Sequence, residues 1–277
     1  ILEIIFKTFN YKNTLTLLKL IFSSTIKPWK KSLVLDYLIH LAHMHLLKKK
    51  SPNFSSVFFN AGAHIQHHYL FNSKYIESLT KNPKWYVDSV FDPIEDMLEV
   101  YDLVIADYLK LSKNGAQIFI STGLRQVPYS MKKFYYRLKN HSIFLKNIGI
   151  NFLKVSPRMT RDFEVIFDND LDLINAKKIL QNIKLKKNGV KIFGEIEERN
   201  KSLFVTLTYP NEIRIDDDLN INNEINFNFY NEVVFVAIKN GMHDSKGYVF
   251  CSPNSNLKTP KEPIHVSELH QMILNHF

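Results

Sequence analysis

Val57 to Ser73 reads VFFNAGAHIQHHYLFNS, and the fold turns on how this stretch is taken. Val57, Phe58 and Phe59 read as a buried strand, and Asn60 to Gly62 as the turn that ends it. In open α/β sheets, chemistry collects just past such strand ends. On a short helix after the turn, His64 and His68 share one face, because residues four apart are neighbours there. That spacing is metal-ligand geometry; a polar, hydrogen-bonded cluster is the alternative.

Upstream, residues 1–50 read as helical. Leu33, Leu35, Leu38, Ile39, Leu41, Ala42, Leu46 and Leu47 recur at helical intervals after a break at Pro28. His40, His43 and His45 in this segment read as partly buried or surface groups. Downstream, a turn-rich loop leads to Asp92, an N-cap followed by Pro93 at the first helical position and Glu95 at the third. The helix it opens runs to Asn114-Gly115, and Ala116 to Ile120 reads as a second buried strand. Val57 to Ile120 is thus expected to be a β-loop-α-β unit of the parallel type.

Residues 131–150 read as an amphipathic helix. Phe163 to Phe167, Val190 to Phe193 and Leu203 to Leu207 read as strands, with a helix over Leu171 to Leu185 between the first two. Pro210 to Tyr230, with Asp216 to Asp218 and Asn220, Asn222 and Asn223, reads as a solvated loop without the spacing of a calcium-binding loop. Val233 to Ile238 and Tyr248 to Cys251 read as late strands, and His265 to Phe277 as a terminal helix with His270 and His276 on its surface. The expected class is α/β, a mostly parallel sheet flanked by helices: a helical segment at 1–50, core parts at 51–155 and 211–277, and a small α+β insertion at 156–210.

At 277 residues and 45% hydrophobic, the chain can bury one large core or two small ones. Its longest apolar runs, such as LTLLKLIF at Leu15 to Phe22, are short and contain lysine, so no membrane span is expected. Ile1 to Phe9 lacks the basic flank and small-residue site of a secretory signal. The single cysteine, Cys251, fits a reducing cytoplasm. The net charge of +9 is spread along the chain, apart from short runs at Lys48 to Lys50 and Lys184 to Lys187. It reads as a basic surface, with no nucleic-acid partner expected. The chain opens on Ile1, not Met, which reads as processing or as a fragment.

Three apolar runs end in polar residues, at Asn60, Ser121 and Asn240. After the second come Thr122, Gly123, Leu124, Arg125 and Gln126, where Arg125 can pair a phosphate or carboxylate and Gln126 can hydrogen-bond it; an ordinary surface turn is the alternative. After the third comes His243. Arg158 and Arg161 in SPRMTRDF either bind an anion or pair with Asp162 or Glu164.

The stretch FFNAGAHIQHHYLF resembles the alkaline phosphatase superfamily, in particular its type I phosphodiesterase and nucleotide pyrophosphatase branch with bacterial relatives. In that branch an Asp and a His four residues later hold one zinc, and Asn60 and His64 stand in the matching pattern. A late His completes that site, and His243 matches it in order and context. The Asp-His-Gly motif of a second zinc corresponds to Thr122-Gly123-Leu124, which cannot hold a cation in that way. The family's Thr or Ser nucleophile is not found in Ile1 to Lys50. The resemblance implies a metal-dependent hydrolase or transferase acting on a phosphate ester, phosphodiester or sulfate ester, on a small anionic or glycan-linked substrate. It implies zinc, or manganese in its place, on His64 and His243 with Asn60, and His68 as accessory ligand or proton-transfer group. Thr122, Arg125 and Gln126 would meet the substrate. The alternative is a catalytically degenerate relative that binds an anionic ligand or a partner protein without turnover.

Overall fold

Asp92 opens a helix of 21 residues as expected: its carboxylate accepts from the amides of Ile94 and Glu95, with Pro93 at the first helical position. In the computed structural model, which describes residues 11–221, 225–256 and 259–275, this helix is α4 (Pro93–Lys113). Before it come α1 (Tyr11–Ser23), α2 (Lys30–Lys50), α3 (Ala61–Tyr69) and a 3-10 turn at Leu70–Asn72. After it come strands β1 (Phe119–Ser121) and β2 (Arg125–Leu138), helix α5 (His141–Asn147), and strands β3 (Lys154–Pro157) and β4 (Asp162–Ile166). Then follow α6 (Asp170–Asn182), β5 (Lys184–Leu185), β6 (Glu197–Arg199), β7 (Ser202–Thr206), β8 (Asp218–Ile221) and β9 (Ile225–Asn228). The chain finishes with α7 (Phe229–Glu232), β10 (Val233–Asp244), β11 (Val249–Cys251) and α8 (Glu268–Leu274).

The chain divides into two compact units, one of residues 1–130 with 240–277 and the other of Met131–Lys239. In the first, an apolar layer joins four helices: Leu17 and Leu20 of α1, Leu33, Tyr37 and Leu41 of α2, Ile65 of α3, and Met97, Val100 and Val104 of α4 are all buried. Each such side chain, fully removed from water, contributes about 1.5–3 kcal/mol. Asp96 of α4 is buried among them and does not stand alone. The indole of Trp29 donates to it at 2.8 Å, and the ammonium groups of Lys27 and Lys30 lie 3.1 and 2.9 Å away.

In the second unit, β3, β4, β7 and β6 form a four-stranded sheet in that order, and β5, β8 and β9 a three-stranded one. Every pairing in both is antiparallel, with Phe163 opposite Val205 in the centre. The core is aromatic. Phe144 and Phe163 each meet Phe193 edge-on, with ring centroids 6.2 and 5.9 Å apart.

These sheets correct the expected mostly parallel sheet flanked by helices: the structure is mixed α and β, and its sheets are small and antiparallel. Val57 to Phe59 forms no strand. Val57 and Phe59 lean on the helical core while Phe58 is 78% exposed, so the apolar run lies across helices and no β-loop-α-β unit begins there. The strand expected at Ala116 to Ile120 shrinks to β1, which pairs antiparallel with β11. Residues 131–138 are strand, not helix, because Phe134, Tyr136 and Leu138 alternate inward, the period of two that a strand requires. The loop expected over Pro210 to Tyr230 contains β8 and β9; in β8, Asp218 and Asn220 alternate with the buried Leu219 and Ile221. Ile1 to Phe9, Asn222, Asn223 and His276 lie outside the described residues.

Candidate functional site

Helix α3 starts where side chains from two other helices meet its first amides. The buried carboxylate of Asp36 on α2 accepts from Ala61 at 2.8 Å and from Asn60 at 3.3 Å. The Tyr101 hydroxyl of α4 accepts from the amide of Gly62 at 2.8 Å and donates to Asp36 at 2.7 Å. Burial first, and then the hydrogen bond to Asp36, push the Tyr101 phenol well above its ordinary pKa, so it remains a donor. Three amide donors of a helix start are thereby satisfied, and a negative charge sits at the positive end of the helix dipole. Gly62 fits because a side chain there would press on the Tyr101 ring, 3.0 Å from an added Cβ.

With its start fixed, α3 presents His64, His67 and His68. The rings of His64 and His68, one turn apart, have centroids 4.8 Å apart. His67 faces β10: its Nδ1 lies 3.0 Å from the Gly241 carbonyl oxygen. A carbonyl only accepts, so Nδ1 carries the proton and the lone pair of the neutral ring is at Nε2. That Nε2 is 3.0 Å from Nε2 of His243, across 176 residues of sequence. Either His243 donates a proton into this gap, or a cation belongs between the two nitrogens.

β10 is held for this meeting by amides. Asn240 is fully buried; its carbonyl oxygen accepts from the Phe71 amide at 3.0 Å and from Asn82 at 2.7 Å, and its nitrogen donates to the Asn82 oxygen at 3.0 Å. Gly241 has no room for a side chain. An added Cβ would collide with the Gln126 side-chain oxygen and come within 2.7 Å of the Gln66 carbonyl.

The donor set suits zinc chemically. Two nitrogens on one tetrahedral zinc stand about 3.3 Å apart, close to the observed separation, and a ligating histidine commonly donates its other N–H to a backbone carbonyl. Among the described residues, no group of three His, Cys, Asp or Glu side chains is already arranged to hold a metal.

The residues singled out from sequence are distributed as follows. His64 and His68 pair on α3, while His243 meets His67 and not His64. Asn60 is exposed and its side chain makes no capping bond. Thr122 is engaged with the chain before β11: its hydroxyl accepts from the Tyr248 amide and its own amide donates to Tyr248, both at 2.9 Å. Arg125 pairs with Asp244 at 2.6 Å and holds that carboxyl below the usual carboxylate range, and Gln126 donates to the Ala63 carbonyl at 3.0 Å. Sequence reasoning missed Asp36 and Tyr101 and marked Asn240 only as the polar end of an apolar run; Asp36 and Tyr101 belong to no motif, and only the residue type, a polar group in an apolar helix, marks them. No helix among the described residues is long and apolar enough to cross a membrane. Comparison with known protein families, with curated proteins and with solved structures finds no match.

Proposed function

We propose that the unit containing α3 binds a divalent transition metal, zinc foremost, between His67 and His243, and that the site serves hydrolysis or transfer at a phosphate ester, phosphodiester or sulfate ester. The observation that carries the reading is the pair of facing ring nitrogens 3.0 Å apart, one of them aimed by the Gly241 carbonyl. When bound, a divalent ion lowers the pKa of a hydroxyl or water and offsets charge on the ester. His67 and His243 would hold the ion, and His64 with His68 would accept or return a proton from the adjoining face of α3. Arg125 reaches an anionic substrate only by giving up Asp244. The lone Cys251 supports a reducing compartment, the cytoplasm, as the place where this happens.

A second reading, a protein that binds an anionic ligand or a partner without turnover, is favoured by one observation: no third metal ligand stands ready among the described residues. Elemental analysis of the chain purified with zinc or manganese, beside His67→Ala and His243→Ala, tests the metal. About one ion per chain, lost in either variant, supports it; no ion in the parent chain overturns it. Hydrolysis of p-nitrophenyl phosphate, bis-p-nitrophenyl phosphate and p-nitrophenyl sulfate by the metal-loaded chain then divides the readings, since metal without turnover favours the binding protein.

A further inference from the structure

The unit Met131–Lys239 contains a cavity of about 290 Å³ that the histidine site does not use. Its polar lining is Arg137 and Lys139 from the β2 end, His141 from the start of α5, Arg158 from just beyond β3, and Thr160 and Asp162. Three permanent cations thus face one carboxylate. Arg158 is braced from behind by an ion pair with Glu164, whose carboxyl it holds below the ordinary range and which also accepts from Ser202 at 3.0 Å. Asp162 is likewise occupied, accepting from the Thr206 hydroxyl at 2.8 Å. The charge of Arg137 reaches the imidazole of His141. His141 is only 9% exposed and packs edge-on against Phe163. Pro157 and Val234 supply an apolar side.

With Glu164 counted beside Asp162 the excess positive charge is about one, which draws an anion such as a phosphate monoester, about −1.5 to −2 near neutral pH. Guanidinium groups are the side chains that grip such a group with two parallel bonds. The volume lies at the small end for ligand sites, enough for a phosphoryl group and a compact organic remainder. We infer that this cavity is a binding site for a small phosphate monoester, with Arg137 and Arg158 on the phosphoryl group and Pro157 and Val234 against the organic part.

The test is calorimetric titration of the full chain, in EDTA so that no metal at the histidines contributes, with phenyl phosphate, inorganic phosphate, methyl sulfate and acetate as probes. Expected is saturable binding of phenyl phosphate, tighter than inorganic phosphate and than either singly charged probe. Arg137→Gln should weaken it by about tenfold or more, the loss of one charge-assisted bidentate contact. Lys132→Gln, an exposed change next door that does not line the cavity, should leave it within about twofold. A circular dichroism melt establishes that both variants are folded; should Arg137→Gln not fold, Arg158→Lys takes its place. Absence of saturable phenyl phosphate binding overturns the inference. So does equal weakening by Arg137→Gln and Lys132→Gln, which would mark a diffuse basic surface, and so does acetate binding as tightly as phenyl phosphate.

Discussion

The two units solve the same problem with opposite materials. The first buries charged and amide side chains, Asp36 and Asp96 on its helices and Asn240 on β10, and satisfies them with partners far away in sequence. The second is built on phenylalanine and leucine, with Phe144, Phe163, Phe167, Phe193 and Phe229 almost wholly buried between antiparallel strands. Polar interiors are directional, since a hydrogen bond fixes an angle as well as a distance. Apolar interiors are held by volume and shape. The histidines stand in the directional unit, where Asp36 fixes the start of α3 and Asn240 fixes β10.

Removing one buried group from each unit gives the largest expected effects. Asp96→Ala, which strands Lys27, Lys30 and the Trp29 indole, should cost about 3–5 kcal/mol in urea unfolding. Phe163→Ala should cost a similar amount, about 3–5 kcal/mol, by leaving a cavity. The comparison sharpens with the conservative changes: Phe163→Leu should recover much of the loss, whereas Asp96→Leu should not, because Lys27 and Lys30 stay partly buried without their acceptor. Recovery in both would break the contrast.

Next in size are the changes that loosen β10. Asn240→Ala, leaving the Phe71 amide without its acceptor, should cost about 1–3 kcal/mol. Gly241→Ala should cost about 1–3 kcal/mol as the added methyl displaces Gln126 and the Gln66 carbonyl. Both should also weaken zinc binding, read by competition with a chromogenic chelator. Stability losses with metal affinity intact would separate β10 from the site.

Acid supplies a smaller, graded probe. Burial depresses the pKa of His40, outweighing its hydrogen bond to Asp107, and burial also depresses His43. The unfolded chain therefore takes up protons near pH 6.5 that the folded chain refuses, so stability is full above that pH and falls as pH drops below it. Each proton of difference gives a slope of at most about 1.4 kcal/mol per pH unit. His40→Gln should flatten the urea midpoint between pH 7 and pH 5; an unchanged slope would remove His40 from the account. The smallest effect belongs to the exposed pair Lys177 and Glu198, 2.8 Å apart, where Glu198→Gln should change stability by less than about 0.5 kcal/mol.

What the sequence made legible follows the same division. α4 was readable because capping and period agree: Asp92, Pro93 and the apolar positions from Ile94 to Tyr108 point to one helix. β4, β7, β10 and β11 were readable as apolar runs with strand length. Val57 to Phe59 misled because three apolar residues in a row describe any segment lying on a core, and its placement depends on helices elsewhere. β2 was hidden by Lys132, Lys133, Arg137 and Lys139, which mask an alternation visible only through Phe134, Tyr136 and Leu138. At the site, the pairing of His64 with His68 is local geometry and could be read. The meeting of His67 with His243 could not, since it depends on β10 continuing six residues past Ile238, to Asp244.

One atom of that meeting lends itself to direct observation. The proton that the Gly241 carbonyl holds on His67 is fixed by backbone, not by solvent, and so should exchange slowly enough to give its own imidazole N–H resonance in a nitrogen-labelled sample. Its nitrogen partner across the ring faces His243, and anything that settles there, proton or ion, shifts that signal. The main-chain oxygen thus turns one histidine into a built-in reporter, able to register occupancy of the site before any substrate has been identified.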